Sequence, residues 1–263
     1  MVRSAFLLAL LSLSLATTTD ATELRRVLLI SCDTLSAKHL GTWGYERPTA
    51  STLDSLASTG VSFRHCIVPQ VWTLSSHMSL FTGLAPGVHR VGADDALPEA
   101  VPLLAERFAE AGFATGAFIS SNAWLAPTFG FGRGFENYEI SQRQTSLTEP
   151  VKAWVDSVST ASRSWFVFAH YMDVHSRSPV ARYPYEPWKR DCWTFDPVEE
   201  GFSRRHYKPA DSAENRRAKI RRWDFSKYDV DFLRRSYDDC VDCWDQRRLR
   251  PLLEELRTSG QLE

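Results

Sequence analysis

The chain of 263 residues has no apolar run as long as the roughly 20 residues that a bilayer-spanning helix requires. It has almost no net charge: 31 lysines and arginines stand against 32 aspartates and glutamates, a formal net of −1, so no global field draws it to nucleic acid or to an anionic membrane. No internal repeat is visible, which excludes a solenoid or a propeller. A second C-x-x-C is missing as well. Of the five cysteines (Cys32, Cys66, Cys192, Cys240 and Cys243) only the last two have that spacing, in a charged, helix-like segment with no histidine pair nearby, which argues against zinc or redox chemistry. The odd count leaves at least one thiol unpaired within the chain.

What is present begins with an export signal. The stretch MVRSAFLLALLSLSLATTTDATELRR joins Arg3 to an apolar segment from Ala5 to Leu15 and to small residues around Ala16 and Ala21. That pattern predicts a signal peptide over residues 1–21, cleaved to leave a secreted or periplasmic protein; uncleaved, the same segment would anchor the chain to a membrane. Export also makes disulfides possible. With 43% apolar residues, the remainder has enough for one or two cored domains.

The middle of the chain alternates. Arg26 to Ser31 (RVLLIS) is a compact β-rich run that stops at Cys32 and Asp33, and an acidic residue directly after a buried parallel strand is where α/β proteins place ligand-binding groups. A helix is expected over Pro48 to Gly60, another over Glu99 to Gly112, then a strand over Thr115 to Ser120. A helix over Pro150 to Ala161 precedes a third buried strand, Trp165 to Tyr171, that opens onto Asp173 and His175. Strands alternating with helices predict an α/β domain with a mostly parallel central sheet and helices on both faces. From residue 179 to 223 the pattern dissolves into prolines, tryptophans and charges, an insertion whose basic segment SRRHYKPADSAENRRAKIRR reads either as a solvated surface or as an attractor of anions. Its Trp188, Trp193 and Trp223 read as local packing or as sugar-stacking rings. Helical spacing returns from Tyr228 to Gly260.

Residues 71 to 83, VWTLSSHMSLFTG, carry two readings. A hydroxyl followed by Met78, Leu80, Phe81 and then Gly83 describes a short helix with Thr73 at its N-cap and glycine at its end. The same hydroxyl at a helix start, with backbone N–H groups beside it, also suits a nucleophile facing an anion.

Six stretches in order then resemble the sulfatase family, within the alkaline phosphatase superfamily. They are VLLISCDTLSAKHLGTWGYERPTASTLDSLASTGVSF, WTLSSHMSLFTGLAPGVHRVG, LAERFAEAGFATGAFISS, FGFGRGFENYE, FAHYMDVH and YDDCVDCWDQRRLRPLLEELRTSG. The resemblance implies a sulfatase-like catalytic domain over residues 26–263, acting as hydrolase or transferase on sulfate or phosphate esters. It implies a metal-ligating Asp33 after the first strand, and Thr73 as nucleophile and metal ligand. His77 falls where sulfatases carry an arginine and is implied as a catalytic residue contacting the anion or leaving group, and His175 matches a substrate-contacting histidine. The implied cofactor is a divalent metal (Ca, Mg, Zn or Mn), and the implied partner an anionic ester: a sulfated or phosphorylated sugar, lipid or aryl compound, with no nucleic acid involved.

Departures from the family pattern shape the expectation. Sulfatases make formylglycine from cysteine or serine, with proline two and arginine four residues on; the positions here hold Thr73, Ser75 and His77, and oxidised threonine would be a ketone, so no formylglycine is expected. Thr34 stands where many relatives have a second metal-binding aspartate, a weaker ligand for a hard cation. The family's Asp-His-Gly type metal motif follows the helix that ends here at Gly260, which predicts an N-terminal part of a catalytic domain. The rival expectation is a secreted domain that keeps the fold without the chemistry.

Overall fold

The computed structural model describes residues 24–175 and 227–262. The expected signal peptide, the insertion at 179–223 and Cys192 lie outside the described residues.

Four parallel strands make the sheet: β1 (Arg26–Cys32), β2 (Ala114–Ser120), β3 (Asn137–Ser141) and β4 (Trp165–Tyr171), in spatial order β1-β4-β2-β3. Every residue of β2 and β4 is buried, as expected of central parallel strands covered on both faces. Side chains alternate between two cores. From β4, Trp165, Val167, Ala169 and Tyr171 enter one, while Phe166 and Phe168 enter the other. β1 does the same, sending Leu28, Ile30 and Cys32 one way and Val27 and Leu29 the other. By that alternation Ser31 and His170 share the face of Phe166 and Phe168, and the register pairs them directly. Each fully buried phenylalanine contributes roughly 2 to 3 kcal/mol of burial energy.

The helices are α1 (Ser51–Thr59), α2 (Thr73–Thr82), a single turn α3 (Pro86–His89), α4 (Leu104–Glu110), α5 (Thr148–Thr160), α6 (Lys227–Trp244) and α7 (Arg250–Thr258). On one face α5, α6 and α7 close over the sheet; on the other, Leu74, Met78 and Phe81 of α2 pack on Phe166 and Phe168. Gly83 ends α2 with φ +70°, a left-handed position that glycine occupies without strain. Gly134 is required for space as well: a Cβ there would lie 2.2 Å from the Glu106 backbone nitrogen.

Several bounds differ from the sequence reading for local reasons. The helix expected from residue 99 starts at Leu104, because Pro102 disfavours helical backbone just before it; the Leu103 N–H is accepted by Glu106 Oε2 at 2.8 Å. The first helix begins at Ser51 rather than Pro48, and its Thr52 and Leu53 amides donate to Asp245 at 2.9 and 3.0 Å. That cap comes from the far end of the chain. The single helix expected over residues 228–260 is two, joined by a π-helical stretch, Asp245–Leu249. Pro251 supplies no N–H to the turn before it, and the wider π turn absorbs the missing bond. β3 went unread because a short, half-exposed edge strand has little hydrophobic pattern to show.

Candidate functional site

Asp33 follows β1 at the carboxyl end of the sheet, and its N–H extends the ladder by one bond to the Tyr171 carbonyl at 2.9 Å. The residue is 9% exposed. α2 starts beside it. Trp72 holds the N-cap position in extended backbone, with no side-chain cap, so Thr73 is the first helical residue. Its hydroxyl does not cap the helix: Oγ1 donates to Asp33 Oδ2 at 2.8 Å.

His77, one turn further, faces back toward the sheet, with Nδ1 2.9 Å from the Thr73 carbonyl and Nε2 2.8 Å from Ser31 Oγ. A carbonyl only accepts, so Nδ1 carries the proton; in the neutral ring Nε2 then accepts from the Ser31 hydroxyl. The ring is neutral because burial, and after it the neighbouring His170, pushes its pKa down to about 4. Its place in the family pattern belongs to a cation, but this side chain bears no charge at neutral pH.

Three site residues were not picked out from the sequence. His170, fully buried on β4, lies 3.7 Å through Nε2 from Asp33 Oδ2, and its ring centroid is 5.0 Å from that of His77. Neither of its ring nitrogens has a hydrogen-bond partner among the described residues. Asn122 follows β2 and donates through Nδ2 to Asp33 Oδ2 at 3.3 Å, while its Oδ1 accepts the Trp124 amide at 3.0 Å. Ser31 completes the set. A lone ionisable residue in the apolar run WFVFAHY was the available signal for His170. Asn122 had only its place after a strand.

Every hydrogen bond to Asp33 from the described residues falls on Oδ2, leaving Oδ1 for another partner. Burial pushes the carboxyl up, but the contacts from His170 and Thr73 hold it below its ordinary value, so Asp33 is ionised. Above it opens a cavity of about 640 Å³, bounded by Asp33, Thr73, Ser76 and His77 on the polar side and by the 66–72 segment on the apolar side. No lysine or arginine is in its described wall. His175, just beyond β4, is at the same end of the sheet and is not part of that wall.

Two turns beside Asp33 are strained. Thr34 and Ser121, the residues after Asp33 and before Asn122, have φ of +60° and +56°, a region that side chains other than glycine, asparagine and aspartate rarely adopt. Such outliers collect at functional sites.

The sequence profile of the Sulfatase family matches residues 25–263. The chain belongs to the sulfatase family. Arylsulfatase A of Bos taurus is 33% identical over 137 residues, a stretch covering 47% of this chain and 27% of that protein. Among solved structures, the C-terminal periplasmic domain of EcEptC from Escherichia coli, in complex with Zn, aligns with TM-score 0.61 at 14% identity over 90% of this chain and 60% of that one. The phosphonate monoester hydrolase of Agrobacterium radiobacter aligns with TM-score 0.60 at 15% identity, again over 90% of this chain and 60% of that one. These structures share the fold, an α/β parallel sheet with helices, as expected. The chain thus spans 60% of the length of those two solved structures and is matched to about a quarter of the bovine enzyme.

The described residues fit a divalent metal in part. Asp33 Oδ1 and the unpartnered nitrogens of His170 suit a cation, yet no group of three histidine, cysteine or acidic side chains converges on one point among the described residues. One carboxylate, one imidazole and the Thr73 hydroxyl do not fill the six positions that an oxygen-seeking ion takes. Among the described residues, no helix is long and apolar enough to cross a membrane. Cys32 and Cys66 are free thiols and Cys243 is disulfide-bonded.

Proposed function

We propose that this sulfatase-family chain carries the nucleophile side of a site that cleaves sulfate or phosphate esters, by hydrolysis or by transfer to an acceptor. The observation that carries the reading is the 2.8 Å hydrogen bond from Thr73 Oγ1 to an ionised Asp33 at the floor of the cavity. Thr73 Oγ1 attacks sulfur or phosphorus, its proton passes to Asp33 Oδ2 and the ester oxygen leaves; water or an acceptor hydroxyl then displaces the Thr73 oxygen, which takes its proton back from Asp33. The N-terminus of α2, with Thr73 in its first turn, favours the anion electrostatically. His77 holds the Thr73 backbone through Nδ1 and thereby its side chain, and His175 is the candidate contact for the substrate beyond β4.

A divalent ion (Ca, Mg, Zn or Mn) belongs to this reading, with Asp33 and His170 among its ligands and Thr73 beside it; when bound it neutralises charge on the ester oxygens. Threonine gives no formylglycine, so direct attack by the hydroxyl replaces that chemistry. The substrate class is an anionic ester on a sugar, lipid or aryl carrier. An exported location accords with the EcEptC neighbour, itself a periplasmic domain.

Turnover of aryl sulfate, aryl phosphate and aryl phosphonate esters, measured with each of the four metals in turn, tests the proposal. Thr73→Ala is expected to lower kcat on the order of 10⁴-fold, the scale of nucleophile deletion, and Thr73→Ser to retain most of it. Unchanged turnover in Thr73→Ala would remove Thr73 from the chemistry. Absence of turnover in the folded, unsubstituted chain would favour the rival reading, a retained fold without activity, for which the neutral Thr34 and His77 already speak.

A further inference from the structure

The turn that carries Asp33 is held from behind by one phenol. The Tyr237 hydroxyl donates to the Thr34 carbonyl at 2.8 Å and accepts the Ser36 amide at 2.8 Å, across about 200 residues of sequence. The first of those contacts is to the strained residue itself, since Thr34 is β-branched and at φ +60°. Among the described residues, the backbone inside the turn has little else: the Leu35 amide reaches the Cys32 carbonyl at only 3.3 Å.

Tyr237 itself is fixed. It is buried on α6, its ring meets His39 edge-on at 4.6 Å, and the next residue, Asp238, binds His39, Tyr45 and Arg47. The phenol is therefore a rigid post for the turn. We propose that Tyr237 is a positioning residue: its hydroxyl holds Thr34 in the left-handed conformation and so aims the Asp33 carboxylate at the Thr73 hydroxyl. The consequence for turnover rests on Asp33 and Thr73 being the reacting pair; the consequence for geometry does not.

Glycine adopts positive φ without the steric penalty, so a chain with Thr34→Gly no longer needs the post. That makes a rescue test possible on the whole chain with threonine methyl groups isotopically labelled for NMR. Tyr237→Phe keeps the ring and removes the hydroxyl. It is expected to move the Thr73 methyl resonance, and the double variant Tyr237→Phe, Thr34→Gly is expected to return it to within the native position. Where ester turnover is present, kcat falls roughly tenfold in Tyr237→Phe with KM unchanged, the scale seen when a supporting partner of a site residue is lost, and recovers in the double variant.

A Thr73 resonance unmoved by Tyr237→Phe overturns the proposal. So does a displacement that Thr34→Gly fails to reverse, because a packing role for Tyr237 would not be repaired by glycine at residue 34. If Tyr237→Phe does not fold, recovery of folding in the double variant supports the post and failure of both overturns it. Lack of turnover in every protein counts against the ester chemistry, while the resonances still decide the role of Tyr237.

Discussion

Two buried carboxylates, Asp33 at the start of the segment after β1 and Asp238 on α6 against the same segment, are treated in opposite ways. Asp238 is fully buried with both oxygens engaged: Oδ1 meets His39 Nδ1 at 2.6 Å, and Oδ2 accepts from Tyr45 at 2.6 Å and Arg47 at 2.5 Å. It has a permanent counter-ion in Arg47. Asp33 has none among the described residues; its nearest groups are a hydroxyl, an amide and a histidine, all on one oxygen, and a cavity opens over it. A carboxylate neutralised by its own chain ties elements together. One kept ionised among weak partners beside open space holds a field for something that arrives later.

Exchanging each for its amide should separate the two roles. Asp33→Asn is expected to lower ester turnover on the order of 10³-fold or more, the scale of losing a group that stabilises reacting charge, while reducing stability by about 1 kcal/mol or less. Asp238→Asn should do the reverse, costing about 3 kcal/mol of folding stability by weakening the buried bonds to His39 and Tyr45 and leaving Arg47, among the described residues, only its longer charge contact with Asp231 at 3.8 Å. Urea unfolding beside a turnover assay reads both. If Asp33→Asn were as destabilising as Asp238→Asn, the contrast between a functional and a structural carboxylate would collapse.

The next effect concerns the neutral ring beside Asp33. An unfolded histidine takes a proton near 6.5, whereas buried His77 takes one only near 4. The stabilising contribution is complete above pH 6.5 and is lost as pH falls toward 4, because the unfolded chain binds the proton first; the full depression is worth about 3 kcal/mol. His77→Asn, which keeps a donor near the Thr73 carbonyl, should therefore flatten stability between pH 7 and 4.5 relative to the unsubstituted chain. Urea midpoints at the two pH values test this, and parallel pH profiles would show that His77 is not the group responsible.

Those two carboxylates also show what a sequence can reveal. Asp33 was legible as an acid just past an apolar strand and Thr73 as a hydroxyl at a helix start, both local signals, whereas the roles of Thr73 and His77 came from the resemblance to the family. Asp238 was one acid among several in a charged helix, and its partners His39, Tyr45 and Arg47 lie more than 190 residues away. Nothing in periodicity encodes such a pairing. His170 and Asn122 fell between these cases. Their positions at strand ends were visible, but their convergence on Asp33 depends on the strand order β1-β4-β2, which alternation along the chain does not specify.

The smallest effect tests whether the Asp238 cluster acts as a unit. Burial, and then the Asp238 hydrogen bond and charge, push the Tyr45 phenol up to about 12, so the hydroxyl stays protonated and donates. Removing it with Tyr45→Phe should cost about 2 kcal/mol in the native protein, the scale of a hydrogen bond to a charged group. In an Asp238→Asn background the same change should cost less than about 1 kcal/mol, since the charge that made the bond strong is gone and only a neutral bond remains. Equal costs in the two backgrounds would mean that Tyr45 stabilises the chain by packing against His39, whose ring lies 4.9 Å away, and that Asp238 is held by Arg47 and His39 without it. The coupling then measures how far a structural carboxylate depends on its full set of partners, the very set that Asp33 lacks.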